Sequence, residues 1–307
     1  MTYTEFKDEV LVKVKERYNE DYEISIQEFQ KNNGTVLDGL IIRNSKFNIS
    51  PTIYLNGYYA KLEDNVEFDT IFDTIVNVYE THKREYDIDI VDIMDFEKCK
   101  SKIIYKLVNY EQNAEMLKNV PHVRYLDLAI VFYLFCDSLE KEIEGIGTIQ
   151  ISDDWLERWK ISKDELFEIA KENTPKILDY RADSLSDIIQ RAMKKSDMLD
   201  DEIFEEIENI PPYIVLSNKS GVNGASVILY DNLLKSIAKA INFDLFIIPC
   251  SIHEVIIAPA LESFMHNKGA ALKDTIAVVN NNELAEVDVL SNNLYLYSIE
   301  KDAIEIY

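Results

Sequence analysis

Cysteine is scarce in this chain and never clustered. Cys99, Cys136 and Cys250 are far apart and odd in number, and no CxxC spacing occurs. That excludes a zinc ribbon and a paired disulfide framework, and it fits buried thiols in a reducing cytoplasm. Glycine (eight) and proline (seven) are also few for 307 residues, which argues for long elements and few extended loops. The longest apolar run, Leu126–Cys136, is about half a membrane span. With the charged N-terminal segment MTYTEFKDEVLVKVKERY, it predicts neither a membrane anchor nor a signal peptide. Basic residues are the other shortage. Lys and Arg total 32 against 56 Asp and Glu, a net charge of -24. No basic run offsets this, so direct nucleic-acid binding is not expected; the excess charge serves solubility or, on the sharper reading, attracts a basic protein partner.

The metal and phosphate motifs are missing as well. No HExxH occurs, and no histidine pair has ligand spacing. Asp87, Asp89, Asp92 and Asp95 lack the glycine that a calcium loop needs at its sixth position, which Asp92 would occupy. The polar stretch Ser217–Gly224 places Lys219 before both of its glycines, unlike a P-loop. No cofactor or metal is expected.

The residues that are present predict an α+β fold. Thr4 is positioned to cap a helix with Phe6, Val10, Val14 and Tyr18 on one face. Ile24 and Ile26 then alternate with Glu23, Ser25 and Gln27 as in a strand. Lys31–Gly34 reads as a hairpin turn, Val36–Ile42 and Pro51–Leu55 as further strands, and 67–84 as a helix. A strand over 103–110 and a short helix over 111–117 lead to a lobe boundary near Asn119. Leu126–Cys136, apolar on both faces, reads as a central strand paired with Gly145–Ile151. Asp153 would cap a helix bearing Trp155 and Trp159, with helices continuing to Asn209.

Tyr213–Leu216, Ala225–Leu229, Leu245–Ile248 and Val255–Ala258 read as strands. Asp231 would cap the helix through Ile241, and Ala270–Asn280 is a second helix. A hairpin of Leu294–Ile299 and Ala303–Tyr307 ends the chain. The expected organisation is a mixed helix and antiparallel-sheet N-terminal lobe, 1–119, and a C-terminal α/β region, 120–307. Strand, polar loop, strand and capped helix recur from Leu126 and from Tyr213. That echo divides the second region into units 120–209 and 210–307, by pattern and not by identity.

NNGTVLDGLIIR (Asn32–Arg43), ISPTIYLN (Ile49–Asn56), YEQNAEMLKNVPH (Tyr110–His122), LSNKSGVNGAS (Leu216–Ser226) and IPCSIHEVIIAP (Ile248–Pro259) run in order through the chain. Together they resemble an uncharacterised domain-of-unknown-function family of anaerobic gut Firmicutes, often near mobile-element genes. The resemblance implies no activity and transfers no functional residues. The resemblance also implies serine at the position of Cys250 in many members, which argues against the thiol as a required nucleophile.

Two features attract a functional reading. Cys250, Ser251, His253 and Glu254 bring a nucleophile, a base and a carboxylate together. On an extended segment Ser251 and His253 share a face while Glu254 points away, so a residue from elsewhere would have to orient the imidazole. A tight turn after Pro249 with His253 bonded to backbone is the favoured reading. The second feature is Asp197–Glu208, an acidic amphipathic helix in which Asp201, Glu205 and Glu208 form either a solvated face or a docking face for a basic partner. Trp155 and Trp159, at i and i+4, share a helix face suited to core packing or, if exposed, to a partner. The leading expectation is a non-enzymatic cytoplasmic accessory protein. The alternatives are an acidic DNA mimic or host-defence antagonist, and a hydrolase or transferase using Ser251 or Cys250 with His253.

Overall fold

The computed structural model describes residues 1–46, 50–83, 95–136, 147–195, 211–249, 251–261 and 268–307. Its strands form three antiparallel sheets, and the fold is α+β. The chain divides into Met1–Ile93 and Met94–Tyr307.

In the first unit α1 (Tyr3–Arg17) places Phe6, Val10 and Val14 in the core, as their spacing dictates. Its cap is Thr2 and not Thr4. Glu5 Oε2 accepts from the Thr2 amide at 2.7 Å and Thr2 Oγ1 accepts from the Glu5 amide, a reciprocal capping box. Strands β1 (Tyr22–Gln30), β2 (Val36–Asn44) and β3 (Thr52–Tyr54) lie in that order. The register aligns Ile26 with Leu40 and Leu40 with Ile53, which gives one apolar face. The β1–β2 turn uses Asn33 and Gly34 at φ 58° and 70°, the conformation anticipated for Asn-Gly. Helices α2 (Asn56–Glu63) and α3 (Phe68–His82) follow, and α3 adds Ile71, Phe72, Ile75 and Tyr79 to the same core.

The second unit begins with the short α4 (Phe96–Cys99). Strand β4 (Ile103–Asn109) pairs along its whole length with β6 (Leu128–Phe135), which also pairs with β5 (His122–Tyr125) and β7 (Thr148–Gln150). Residues on both sides of Asn119 therefore share one sheet, and the contact division falls at Ile93–Met94 instead. Helix α5 (Asp153–Trp159) has Ser152 at its cap position, so Asp153 lies inside the first turn. Helix α6 (Lys163–Ile177) covers the outer edge of β4. Thr174 Oγ1 accepts from the Tyr105 amide at 3.0 Å, and Asn173 Nδ2 donates to the carbonyls of Lys100 and Ile103.

The last sheet has the order β13–β12–β10–β11–β9–β8. Its strands are β8 (Tyr180–Ser184), β9 (Ile214–Asn218), β10 (Leu245–Ile248), β11 (Val255–Pro259), β12 (Tyr295–Ser298) and β13 (Ala303–Ile306). Helix α7 (Leu185–Lys195) follows β8, α8 (Leu233–Ile241) precedes β10 and α9 (Lys268–Asn282) follows β11. Three expectations change here. Residues 180–184, expected as helix, are an exposed edge strand whose polar sequence YRADS carries no apolar alternation. Ala225–Leu229 is not a strand but part of a 3₁₀ turn, Gly224–Leu229. An apolar run buried on all sides has no period that separates the two. The cap position of α8 is Asn232, at φ 61°, while Asp231 pairs with Lys171. Without the 225–229 strand the proposed internal repeat loses its matching element. Both sheets are antiparallel, in keeping with the α+β class.

Asp127 ties these two sheets together. It sits in the two-residue turn between β5 and β6. Its Oδ2 accepts from Ser291 Oγ at 2.6 Å and Asn293 Nδ2 at 2.9 Å, and its Oδ1 from Tyr295 OH at 2.8 Å. Asn109 Nδ2 adds a bond to the Leu290 carbonyl, and buried Asn280 of α9 donates to the Ser291 carbonyl. Burial, then the nearby Asp127 charge, raises the Tyr295 phenol far above its ordinary range, so it stays a neutral donor.

Removing the carboxylate would leave three donors without their acceptor. Asp127→Ala is therefore expected to lose about 3 kcal/mol or more in urea unfolding. Asp127→Asn, which sets an NH₂ against other donors, should recover only part of that. A loss of less than about 0.5 kcal/mol for Asp127→Ala would show that the two sheets hold each other without this anchor.

Candidate functional site

The turn at 251–254 joins β10 to β11, with Ser251 buried and His253 half-buried. The Ser251 amide donates to the Glu254 carbonyl at 3.2 Å, closing the turn, while Ser251 Oγ accepts from the His253 amide at 3.0 Å. Both imidazole nitrogens have partners. Nδ1 accepts from the Asn223 amide at 3.2 Å, which leaves the proton on Nε2, facing Asp288 Oδ1 at 3.2 Å. Asp288 is the orienting residue from elsewhere that the sequence demanded, and nothing local in the sequence identifies it. The Ile252 amide donates to the Asp288 carbonyl at 2.8 Å, so the turn is fastened by backbone as well as side chain. A general base needs one nitrogen directed at a nucleophile. Here neither nitrogen is directed at Ser251 Oγ. Glu254 supplies its backbone carbonyl to the turn, and Cys250 lies outside the described residues.

The loop 217–224 closes against this turn. Ser217 Oγ donates to the His253 carbonyl at 2.7 Å, and the Ala225 amide donates to the Ile252 carbonyl at 3.1 Å. Gly224 is required by space. A Cβ there would fall 2.5 Å from the Asn218 amide nitrogen and 2.6 Å from the His253 carbonyl oxygen. The backbone donors that a phosphate would use are already taken. The Gly221 amide donates to Asn218 Oδ1 at 2.9 Å, Val222 to Ser220 Oγ at 3.2 Å and Asn223 to the imidazole. Lys219 pairs with Asp179 at 2.5 Å. The arrangement braces two adjoining loops.

The tryptophans are packed together rather than displayed. Trp159 is buried, with its ring 5.1 Å from Trp155 edge-on and 5.6 Å from Phe96, and Trp155 is half-buried. Asp201, Glu205 and Glu208 lie outside the described residues, as do Asp87, Asp89 and Asp92, while Asp95 Oδ1 accepts from the Glu97 amide to cap α4. Among the described residues no group of His, Cys, Asp and Glu could hold a metal ion, and no helix is long and apolar enough to cross a membrane.

Lys106 is the titratable group that the sequence reading passed over. It lies mid-strand in β4 and is only 9% exposed. A lysine inside the apolar run IIYKLV was the available signal. The pairing places Lys106, Val131 and His122 in one row, and Ile104, Tyr133 and Gln150 in the next, on the same face. Met116, Leu117 and Val120, from the segment Tyr110–His122, pack over that face. The ammonium donates to Thr148 Oγ1 at 2.8 Å and lies 3.9 Å from the Tyr133 ring centroid. Among the described residues no carboxylate lies within ion-pair distance. Burial pushes Lys106 down to about 8 from an ordinary 10.5.

Two outcomes follow from these geometries. The unfolded chain holds the Lys106 proton more tightly than the folded one. The folded form therefore gains stability as pH rises from about 8 to 10.5, and it carries the full desolvation penalty below 8. A shift of this size corresponds to a net penalty of about 3 kcal/mol. Lys106→Met keeps the stem and should be the more stable form in urea near neutral pH, with its advantage shrinking toward 10.5. An advantage that does not change with pH would mean that the ammonium is not the source. His253→Asn retains an acceptor for the Asn223 amide but cannot reach Asp288, and should cost about 1–2 kcal/mol of stability. Asp288→Asn should cost a similar amount, and the double variant less than the sum, measured as a thermal-unfolding cycle.

Comparison with known proteins gives one result. No match was found among curated proteins or among solved structures. The family model described as a family of unknown function (DUF5688) matches residues 3–299. It spans the capped first helix, the Lys106 strand, the Asp127 anchor and the His253 turn alike, and the chain belongs to that family.

Proposed function

We propose that this is a non-enzymatic accessory protein that binds a basic protein partner through its acidic surface. The observation that carries the reading is charge. With 56 carboxylates against 32 Lys and Arg, the field around the molecule attracts cationic surfaces and repels nucleic-acid backbones. Long-range attraction of this kind acts mainly on the association rate. The occupied nitrogens of His253 weigh against the hydrolase or transferase alternative. No feature of the described surface singles out DNA mimicry. Scattered cysteines and the absence of CxxC support a reducing cytoplasm as its location. A bacterial source and a role near mobile elements belong to the same proposal, and rest on the resemblance of the sequence segments alone.

Asp201, Glu205 and Glu208 are the residues we assign to the docking face, because no basic residue occurs between Lys195 and Lys219. Replacing all three by Asn or Gln should lower capture of basic proteins from host lysate at low salt. Parent and variant should converge at about 1 M salt, where the Debye length is about 3 Å. The melting temperature should hold or rise, because neighbouring carboxylates repel. Undiminished capture at low salt would remove the docking assignment.

A further inference from the structure

A cavity of about 370 Å³ lies where the two sheets of the second unit meet, and none of the sequence motifs touches it. Its charged and phenolic walls come from several elements. Tyr125 ends β5, Lys171 projects from α6, Asp231 precedes α8, Lys235 sits in its first turn, and Tyr297 and Asp302 belong to the β12–β13 hairpin. The volume falls within the range of small-ligand sites.

The charges on these walls are equal and opposite. Lys171 Nζ lies 3.2 Å from Asp231 Oδ1, and Lys235 Nζ lies 2.5 Å from Asp302 Oδ2. Tyr297 OH donates to Asp302 Oδ1 at 2.6 Å. The Lys235 and Tyr297 hydrogen bonds hold the Asp302 carboxyl below its usual range, so it is ionised near neutrality. The side chains of the first pair are 40% and 71% exposed, and those of the second 34% and 49%. Pairs this exposed contribute little to folding, so exchanging either partner for a ligand group costs little. An anion alone would meet two aspartates, and a cation alone would meet two lysines. A molecule carrying both charges can satisfy both.

The remaining surface is apolar or phenolic. Ile228, Leu229, Leu234 and Ile304 line it beside the tyrosine rings. Tyr125 OH has no hydrogen-bond partner among the described residues, although burial of the ring pushes its phenol up to about 12. It is a neutral donor left over by the fold.

We propose that this cavity binds a small zwitterion with an apolar side chain, a free amino acid or short peptide. Its carboxylate pairs with Lys171 or Lys235 and its ammonium with Asp231 or Asp302. This site goes beyond the partner-binding reading and stands without it, since none of its residues belongs to the acidic segment.

The test is calorimetric titration of the full chain with leucine and with leucyl-leucine. N-acetylated and amidated derivatives, each lacking one charge, serve as comparisons. Saturable one-to-one binding of the zwitterions is expected, with each capped derivative at least about tenfold weaker. Lys235→Met and Asp302→Asn should each weaken binding about tenfold at unchanged melting temperature. Tyr125→Phe removes only the unpartnered hydroxyl, so it keeps the fold, and it should weaken binding roughly threefold. Equal binding of a capped derivative overturns the proposal. So does the absence of saturable binding across the apolar amino acids and their dipeptides at millimolar concentration. Unchanged affinity in the folded variants overturns it as well.

Discussion

The second unit depends on one carboxylate. Asp127 stands in a two-residue turn of one sheet and accepts three hydrogen bonds from Ser291, Asn293 and Tyr295, on and just before β12 of the other. Side chains of Asn109 and Asn280 bond to the backbone of the same segment. Apolar contact between two sheets is tolerant of sliding, whereas three directed bonds to one acceptor group are not. The cavity bounded by Tyr125, α8 and the β12–β13 hairpin inherits its shape from that fixed relation, since Tyr125 lies two residues before Asp127 and Tyr297 two residues after its partner Tyr295.

Polar side chains elsewhere in this unit are used in the same way, as fasteners. His253 spends both nitrogens on Asn223 and Asp288. Asn218 accepts from Ser220 and Gly221 while donating to the Val222 carbonyl. Thr174 and Asn173 satisfy the outer edge of β4. Residues whose types suggest chemistry thus turn out to be consumed by geometry. Lys106 departs from this economy, because a ring and a hydroxyl do not neutralise an ammonium.

The legible parts of the fold are those in which one face is buried and the other is wet. Phe6, Val10 and Val14, or Ile24 and Ile26, announce helix and strand because burial alternates with their own periods. The hairpin at Asn33–Gly34 was legible because positive φ selects those residues. Where burial is uniform, as in Ala225–Leu229, or nearly absent, as in Tyr180–Ser184, no period exists to read. The turn at Ser251–Glu254 was foreseen with His253 bonded to backbone. Asp288 was not, because its role arises from a contact across 35 positions. The partners of Asp127 lie 164 to 168 positions away, and no local rule reaches that far.

That separation also sets an order of events during folding. The β5–β6 turn places Leu126 at φ 58°, a conformation that a branched side chain adopts only against a cost of about 1 kcal/mol or more. Local preference therefore works against the hairpin, and what opposes the strain comes from residues 291–295, 164 to 168 positions later. A chain still emerging from the ribosome has β4, β5 and β6 to hand but no donors for Asp127. The strands can collapse together, yet the turn that fixes their register waits for residues 291–295. Closure across so long a loop costs chain entropy before any of its bonds form, which slows folding. The β5–β6 turn is therefore held in its native form only once residues 291–295 have docked on Asp127.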